Sequence, residues 1–238
     1  MKVMTFNIAR YDYDWNARKP KIIEAILKEK PDIVFMQEVF DDQRYQNKDG
    51  QNQGSQLNEH LKYKNMIYDI VEQIITENKQ DVKKLVFDGL LCLTNLPVIE
   101  HRIVRLKRED ADSHYRAIQI IKVLYSGKEI LFYHTHYSNT TEWSRLHIEE
   151  TKEYLVNKKV SPIIIGDLNI LEPKIIKKVL GDMFECSYDI KKYISFPSKN
   201  EVLDYIVIPK KHYKFSDIKC NYDNCSDHRA LIAEINLI

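Results

Sequence analysis

Glycine is scarce in this chain of 238 residues, and the positions of its six glycines exclude the common phosphate-binding loops. No glycine belongs to the GxGxxG pattern of dinucleotide-binding folds or to the GxxxxGK[ST] pattern of P-loop enzymes. Both patterns need glycines because the backbone amides must approach a nucleotide phosphate closely. We therefore expect no nucleotide cofactor.

Paired cysteines and long hydrophobic runs are also lacking. The four cysteines (Cys92, Cys186, Cys220 and Cys225) form no CxxC pair, which argues against a zinc ribbon and against a disulfide scaffold. No apolar stretch approaches the roughly 18 to 20 residues that a membrane span needs. The N-terminus enters an apolar run without the pattern of a signal peptide. These features predict a cytoplasmic protein without a membrane partner.

Net charge is close to zero, since 36 Lys and Arg residues face 35 Asp and Glu residues. This balance excludes an arginine-rich nucleic-acid coat and an acidic disordered tail. Two segments are locally basic, 101–108 with four Lys or Arg and no acid, and 188–220 with seven lysines against four acids. Such runs either flank a cleft for a polyanion or form a solvated face, and the sequence leaves both interpretations open.

Hydrophobic periodicity predicts one strand-rich α/β domain, without an internal repeat or linker. Pro31 ends the first predicted helix, Pro173 opens the last, and the polar segment 41–54 is expected to be a functional loop. The predicted helices are 16–30, 55–61, 141–157 and 173–180. The predicted strands are 2–8, 32–39, 65–76, 84–94, 97–106, 116–125, 129–137, 162–167, 203–208 and 229–237.

Polar side chains occur at the ends of these apolar strands. A carboxylate at the end of a buried strand costs desolvation free energy unless a hydrogen bond or a metal ion offsets it. Six such strand ends in one chain indicate a common cleft. The residues concerned are Asn7, Glu38, His136, Asp167 with Asn169, Asp204, and Asp227 with His228.

The residue types at these positions favour a hard, oxygen-ligated cation. Acids, amides and histidines without paired cysteines suit Mg²⁺ or Mn²⁺ better than zinc. Because Mg²⁺ prefers one or two carboxylates together with water and substrate phosphate, Glu38 and Asp227 with Asn7 fit it. His228 beside Asp204 is the pair expected for proton transfer or for a polarised charge.

Each of these residues also has a purely structural interpretation. Asp167 and Asn169 fit an Asx turn that leads into the helix at 173, and His228 fits a solvated turn. His134 shares a strand face with His136 and is interpreted as structural. The structural interpretations must all hold together, in one order along the chain, and this requirement favours a functional cleft.

The same motifs resemble the endonuclease/exonuclease/phosphatase superfamily of metal-dependent phosphoesterases, whose fold is shared with deoxyribonuclease I. The resemblance covers nearly the whole chain in the order of the family. It implies one catalytic domain over residues 1–238, a four-layer α/β sandwich in which two mixed β-sheets pack face to face with helices outside. The motifs are TFNI at 5–8, QEV at 37–39, TH at 135–136, GDLN at 166–169, LDYI at 203–206 and SDH at 226–228.

The resemblance also implies a role for each matching residue. Asn7, Glu38 and Asp227 resemble the metal-side residues, with Glu38 as the main carboxylate. Arg116 is similar to a substrate-facing arginine of some branches. The residues that resemble the catalytic group are His136, Asp167, Asn169, Asp204 and His228. Ala9 stands where some relatives carry an acid, which puts a second metal ion in doubt.

The implied activity is attack of water in line on a phosphate ester, with Mg²⁺ as cofactor and Mn²⁺ as a substitute. We expect a monomeric nuclease that acts on DNA, because basic segments beside a phosphoesterase cleft suit a nucleic-acid backbone. A phosphatase or phosphodiesterase acting on a small-molecule or lipid phosphoester is the alternative. A non-catalytic protein that binds phosphorylated ligands is the third possibility, although the residues that such a protein is expected to lose are all present.

Overall fold

The structure is a computed structural model that describes residues 1–45, 51–77, 83–108 and 114–238. The helices are α1 (Trp15–Glu29), α2 (Gln53–Leu61), α3 (Thr141–Lys158), α4 (Pro173–Leu180) and α5 (Ser187–Ile190). The strands are β1 (Lys2–Asn7), β2 (Ile33–Asp42), β3 (Asn65–Glu77), β4 (Lys83–Thr94), β5 (Val98–Arg105), β6 (Ala117–Tyr125), β7 (Lys128–His136), β8 (Ile163–Asp167), β9 (Phe184–Cys186), β10 (Asp204–Pro209), β11 (Tyr213–Asn221) and β12 (Ala230–Leu237). Across the described residues, we find no helix with the length and apolar character that crossing a membrane requires.

The strands form two mixed sheets of six strands each. The first sheet has the order β11-β12-β1-β2-β4-β3, and the second has the order β5-β6-β7-β8-β10-β9. In each sheet one central pair is parallel, β1 with β2 and β7 with β8, and the other pairs are antiparallel. The predicted pair of mixed sheets is confirmed.

Among the described residues, three apolar cores lie between the layers, because successive side chains of a strand point to opposite faces. In β1, Met4 and Phe6 pack against α1 and α2, whereas Val3 packs in the core between the two sheets. A third core joins the second sheet to α3 and α4 through residues such as Ile148 and Ile176. The layers are therefore helices, sheet, sheet and helices, as the resemblance implies.

Strand direction brings the polar strand ends to one edge of the sandwich. Asn7 ends β1, and His228 lies just before β12, which runs antiparallel to β1. In the second sheet, His136 and Asp167 end the parallel strands β7 and β8. Asp204 begins the antiparallel strand β10 directly opposite Asp167. Residues from both sheets therefore meet at this edge.

A β-bulge in β2 sets the direction of Glu38. The register between β2 and β4 shifts between Met36 and Val39, and Glu38 has a φ of 54°. Left-handed backbone is unfavourable for a residue with a Cβ, and residues strained in this way cluster at functional sites as well as at turns and helix ends. A bulge changes the direction of a side chain locally, so the side chain of Glu38 no longer follows the in-and-out alternation of β2. This change occurs at the edge of the sheet where Asn7 ends β1.

The loop predicted at 41–54 is shorter in the structure, and two strands were missed. β2 continues to Asp42, a 3₁₀ turn covers Gln43–Tyr45 and α2 begins at Gln53, while residues 46–50 of this prediction lie outside the described residues. β9 has three residues, too few to show a period. In β11 a register shift between Phe215 and Asp217 interrupts the apolar alternation. The sequence also predicts a turn at Asn78, between the strands at 65–76 and 84–94, and this position lies outside the described residues.

Replacing Gly166 by alanine should destabilise the fold strongly. Gly166 has a φ of 144°, and a Cβ at this position would lie 1.9 Å from the carbonyl oxygen of Thr135 on the neighbouring strand. Backbone strain and overpacking together should lower the free energy of unfolding by about 3 kcal/mol or more. The measurement is urea unfolding of Gly166→Ala beside Gly127→Ala, since Gly127 also has positive φ (76°) but no atom within 4 Å of the added Cβ. Equal losses of unfolding free energy in the two variants would show that the short distance from the added Cβ to the carbonyl oxygen of Thr135 is unimportant.

Candidate active site

A buried ion pair between Asp204 and His228 lies at the centre of the site. His228 Nδ1 is 2.8 Å from Asp204 Oδ2, and both side chains are almost fully enclosed. Burial alone would lower the pKa of His228, but the carboxylates of Asp204 and Asp167 outweigh it and raise the pKa to about 10. His228 is therefore an imidazolium at neutral pH, donating through Nδ1 to Asp204 and presenting Nε2–H to the cleft.

Asp167 lies between the two sheets and receives hydrogen bonds on both carboxylate oxygens. Asn7 Nδ2 donates to Oδ2 at 3.0 Å, and the backbone N–H of Asn169 donates to Oδ1 at 3.1 Å. The Nε2 atoms of His136 and His228 lie 3.5 and 3.7 Å from Oδ2. Burial, and secondarily the charge of Asp204, raise the pKa of Asp167 to about 7. This carboxyl group therefore exchanges a proton readily near neutral pH.

His136 differs from His228 in charge although both face Asp167. Burial, followed by the positive charges of Arg116 and Arg10, lowers the pKa of His136 well below its ordinary value. His136 is therefore a neutral imidazole at neutral pH. The predicted substrate-binding residue Arg116 is buried and lines a narrow cavity together with His136 and Asp88.

Asn7 connects the two acids of the site. Its Nδ2 donates to Glu38 Oε1 at 3.2 Å as well as to Asp167, and its Oδ1 accepts from the backbone N–H of Ala9 at 3.0 Å. The side chain of Glu38 keeps 20% of its surface exposed, so its carboxylate is open to the cleft. Asn7 thus holds both carboxylates in place, the function that a rigid catalytic site requires of its supporting residues.

The remaining predicted residues are Asn169 and Asp227. Asn169 has a φ of 50°, and its side-chain amide donates to the carbonyl of Tyr137 at 3.1 Å. Asp227 is half-buried and accepts a hydrogen bond from Ser226 Oγ at 3.0 Å. It lines an open groove of about 450 Å³ whose wall also includes Tyr13.

The donor set of this cleft fits a divalent cation better at Glu38 than at the buried acids. Among the described acids, cysteines and histidines, only Asp167, Asp204 and His228 have ligand atoms all within 4.8 Å of one another. In this trio His228 Nδ1 pairs with Asp204 at 2.8 Å and Nε2 lies 3.7 Å from Asp167, an arrangement suited to handling charge and protons. Glu38 offers an accessible carboxylate, and the set is made of oxygen and imidazole donors, which suits a hard cation.

Comparison with known sequences shows the family of this chain. The sequence profile described as "Endonuclease/Exonuclease/phosphatase family" matches residues 4–228, nearly the whole chain. The chain belongs to the endonuclease/exonuclease/phosphatase family. Members of the family are hydrolases of phosphate esters that generally depend on a divalent metal. A search of curated protein sequences finds no significant match.

Solved structures share the fold of this family member at low sequence identity. An endonuclease/exonuclease/phosphatase from Beutenbergia cavernae superposes with a TM-score of 0.81 at 18% identity, covering 100% of this chain and 71% of the other. The mannosyl-6-phosphatase Bt3783 of Bacteroides thetaiotaomicron gives a TM-score of 0.69 at 16% identity and covers 99% of each chain. D. rerio TDP2 in complex with a single-strand DNA product gives 0.67 at 17% identity and covers 99% of this chain and 98% of the other. The resemblance inferred from the sequence is confirmed.

Arg18 supports the site of this family member and was not recognised in the sequence. Arg18 is 5% exposed, and its guanidinium donates to backbone carbonyls of the segment after β1 and to one just before His228. The signal was available, because Arg18 lies one turn before Ile22 and thus interrupts the apolar stripe of α1 with a charge. The carbonyls belong to Ile8, Ala9, Arg10, Asp12, Tyr13 and Cys225.

A buried polar chain beside the active site joins the two sheets. His134 Nδ1 donates to Gln119 Oε1 at 2.9 Å, and His134 Nε2 accepts from Gln37 Nε2 at 2.6 Å. Gln37 also donates to Thr5 Oγ1 at 2.9 Å. The chain thus joins β1 and β2 of the first sheet to β6 and β7 of the second. These bonds satisfy a neutral imidazole, which agrees with the structural interpretation of His134.

The stability contributed by His134 should decrease in acid. Burial lowers the pKa of His134 to about 3, whereas an unfolded histidine titrates near 6.5. The unfolded chain therefore binds the additional proton between these values, and the contribution is complete above about pH 6.5 and falls by about 1.4 kcal/mol per pH unit below it. Urea unfolding at pH 7.5, 6.5 and 5.5 should show wild type losing stability relative to His134→Asn by this amount. The exposed His212, replaced in the same way, is the control, and parallel pH profiles for wild type and His134→Asn would contradict the assignment.

Proposed function

We propose that this chain hydrolyses phosphodiester bonds of DNA with Mg²⁺ as its cofactor and Mn²⁺ as a substitute. The observation that carries the proposal is the convergence of three groups at one edge of the sandwich. Asp167, a carboxyl group with a pKa of about 7, lies within 3.7 Å of the imidazolium of His228 and within 3.5 Å of the neutral His136. A proton acceptor (Asp167), a positively charged imidazolium (His228) and a neutral hydrogen-bonding imidazole (His136) thus face one small volume. In-line hydrolysis of a phosphate ester requires groups of these kinds.

Asp167 is the proposed acceptor of the proton of the attacking water. Its Oδ1 and Oδ2 are fixed by Asn169 and Asn7, so that the carboxylate has one orientation. A base works best when its pKa is near the working pH, and Asp167 meets this condition. As the water oxygen bonds to phosphorus, its proton passes to Asp167 and the ester P–O bond breaks.

His228 is proposed to act as a cation and proton donor rather than as the base. At a pKa of about 10 it is already protonated, and Asp204 holds its ring through Nδ1. Its Nε2–H can donate to a phosphate oxygen or to the leaving oxygen. The neutral imidazole of His136 and the second N–H of the Asn169 amide are the proposed hydrogen-bond partners of the remaining phosphate oxygens.

The divalent cation is proposed to bind at Glu38, with Asp227 and Asn7 as the further metal-side residues. When bound, the cation supplies positive charge for the phosphate oxygens. In this structure Asn7 uses its amide nitrogen to hold Glu38 and Asp167, so its part is to orient the carboxylates. Asp204 Oδ1 is buried and has no hydrogen-bond partner among the described residues.

Aromatic side chains beside the cleft support a nucleic-acid substrate. Tyr115, 49% exposed, stands next to Arg116 and carries the guanidinium of Arg108 4.2 Å from its ring centre. On the other side, Phe196 packs 4.9 Å from the ring of His228 and has the ammonium of Lys199 5.7 Å from its centre. Stacking of a base on an exposed aromatic ring contributes about 1 to 3 kcal/mol, and a nearby cation can contact phosphate.

The locally basic segments contribute less to this surface than their sequence indicates. Lys210 and Lys211 follow the far end of β10, whose six residues from Asp204 span about 20 Å. In segment 101–108, Arg102 is paired with Glu100 at 3.0 Å. The proposal of a DNA substrate therefore depends on a few cations near the cleft, and its salt dependence should be moderate.

A small phosphoester is the second candidate, favoured by the groove beside Asp227. Its volume of about 450 Å³ is within the range of small-ligand pockets. Asp14 and Asp227 both line it, and acids there would repel a second phosphate. The structural neighbour from Bacteroides thetaiotaomicron, a mannosyl-6-phosphatase, is consistent with this alternative.

Cleavage of a panel of labelled substrates distinguishes the two candidates. The panel contains single-stranded, double-stranded and abasic DNA, RNA, and bis(p-nitrophenyl) phosphate, each with Mg²⁺ at 50, 100 and 200 mM salt. We expect a DNA strand to be cleaved fastest and its kcat/KM to fall as salt rises, while kcat/KM for the small diester stays constant. Rapid cleavage of the small diester with no salt dependence on DNA would refute the DNA substrate and favour the alternative.

A further inference from the structure

Arg10 is held rigidly at the edge of the proposed metal site. Ala9 and Arg10 have φ values of 50° and 49°, so two consecutive residues adopt the left-handed conformation. The carbonyl oxygen of Arg10 accepts hydrogen bonds from Arg18 at 2.9 Å and from Gln53, and its N–H donates to the carbonyl of Glu38 at 3.1 Å. Helices α1 and α2 therefore both fix the backbone from which this side chain extends.

The guanidinium of Arg10 lies between two carboxylates. Its Nε is 3.0 Å from Glu38 Oε2, and its Nη2 is 3.7 Å from Asp88 Oδ2. Among the described residues the Nε–H of Arg10 points at no hydrogen-bond acceptor, so the contact with Glu38 is an ion pair without hydrogen-bond geometry. The ring of Phe40 covers the guanidinium, with its centre 5.0 Å from Cζ. A single cation thus serves Glu38 and Asp88 together.

Without Arg10, Glu38 and Asp88 would lose the cation that they share at the bulge of β2. Burial raises the pKa of Asp88 to about 7, and Arg116 would remain as a second cation near it. Asp88 lies on β4 opposite Phe40, two positions from Glu38, and both acids contribute to the raised pKa of Arg10 even though burial opposes it. The other face of Asp88 meets a narrow cavity lined also by Glu72, Arg116 and His136. Two carboxylates with a cation between them form the arrangement that a bridging metal ion would otherwise complete.

We propose that Arg10 takes the place of a second divalent cation, so that the site holds a single ion. Ala9, the residue before it, contributes no carboxylate, and the guanidinium supplies positive charge beside Glu38. Arg10 is thus a positioning residue that acts through Glu38 and Asp88. This inference rests on the proposed metal site at Glu38.

Counting bound Mn²⁺ ions tests the inference without relying on turnover. Free Mn²⁺ is measured by electron paramagnetic resonance during titration of the purified protein at pH 7.5. We expect one ion per chain in wild type and two ions in Arg10→Gln, because the variant exposes the Glu38 and Asp88 pair. The double variant Arg10→Gln with Asp88→Asn should return to one ion, and Arg10→Lys, which keeps the charge, should also bind one.

Two further variants keep the test decisive. Arg10→Met retains the apolar stem against Phe40 and should also bind two ions. If Arg10→Gln does not unfold cooperatively on heating, Arg10→Met takes its place as the neutral variant. Arg44→Gln is the control, since Arg44 lies in the turn after β2 and pairs with Asp42 at the end of that strand. One ion of unchanged affinity in both neutral Arg10 variants would overturn the inference and leave the proposed function standing. Absence of Mn²⁺ binding by wild type would overturn both.

Discussion

Glu38→Gln should lower metal-dependent hydrolysis by about 10²- to 10⁴-fold while the protein remains folded. The substitution preserves the shape of the side chain and its contact with Asn7, but removes the charge that is proposed to bind the cation. A bound cation supplies several kcal/mol of charge stabilisation to the transition state, and each 1.36 kcal/mol changes the rate tenfold. The measurement is the initial rate on an oligonucleotide across a Mg²⁺ titration, with the thermal midpoint as evidence of folding.

The matched control for this variant is Glu129→Gln. Glu129 is a surface residue at the opposite end of β7, where it pairs with Lys122 at 3.4 Å, so its loss should leave the rate unchanged. High Mg²⁺ should restore part of the activity of Glu38→Gln, because the remaining oxygen donors bind the ion weakly. If Glu38→Gln hydrolysed the substrate at the wild-type rate at low Mg²⁺, the assignment of Glu38 as a metal ligand would be refuted.

His228→Ala should lower hydrolysis by about 10²- to 10⁴-fold, the contribution typical of a positioned proton donor. It should also lower the free energy of unfolding by about 3 to 5 kcal/mol, because the buried carboxylate of Asp204 loses its cation. Steady-state kinetics and urea unfolding measure the two effects separately. The control is His212→Ala, at an exposed histidine that follows the far end of β10.

A double variant separates catalysis from stability. His228→Ala combined with Asp204→Asn removes both charges of the pair and should recover part of the lost stability. It should recover no activity, since the imidazolium that faces Asp167 is still absent. Recovery of activity together with stability would mean that His228 is structural and has no part in the reaction.

Much of the fold was predictable because it depends on hydrophobic periodicity and proline positions, which are visible in the sequence. Buried strands and amphipathic helices have distinct periods, and Pro31 and Pro173 mark helix ends without tertiary information. β11 was missed because a bulge shifts its alternation between Phe215 and Asp217, and such a shift arises from pairing with β12. The order of strands in each sheet is likewise a tertiary property that the sequence did not predict, whereas the two mixed sheets entered through the resemblance to a family.

The candidate site was predictable only where a polar residue interrupts an apolar strand. Asn7, His136 and Asp167 are strand ends, and topology alone places such ends at one edge. The ion contact of Arg10 with Glu38 depends on left-handed backbone in both residues, which their side-chain types do not encode. The sequence therefore indicated which residues meet, and the structure adds their charges and orientations. The roles assigned to them remain predictions.

The most direct measurement is hydrolysis by protein stripped of metal with a chelator and then titrated with Mg²⁺. The substrate is a labelled DNA oligonucleotide, and the wild-type protein is compared with Glu38→Gln. The account predicts no cleavage before Mg²⁺ is added, saturable cleavage after it, and a loss of at least about 10²-fold in the variant. Cleavage of equal rate in the presence of excess chelator, or equal Mg²⁺ response in both proteins, would contradict the account.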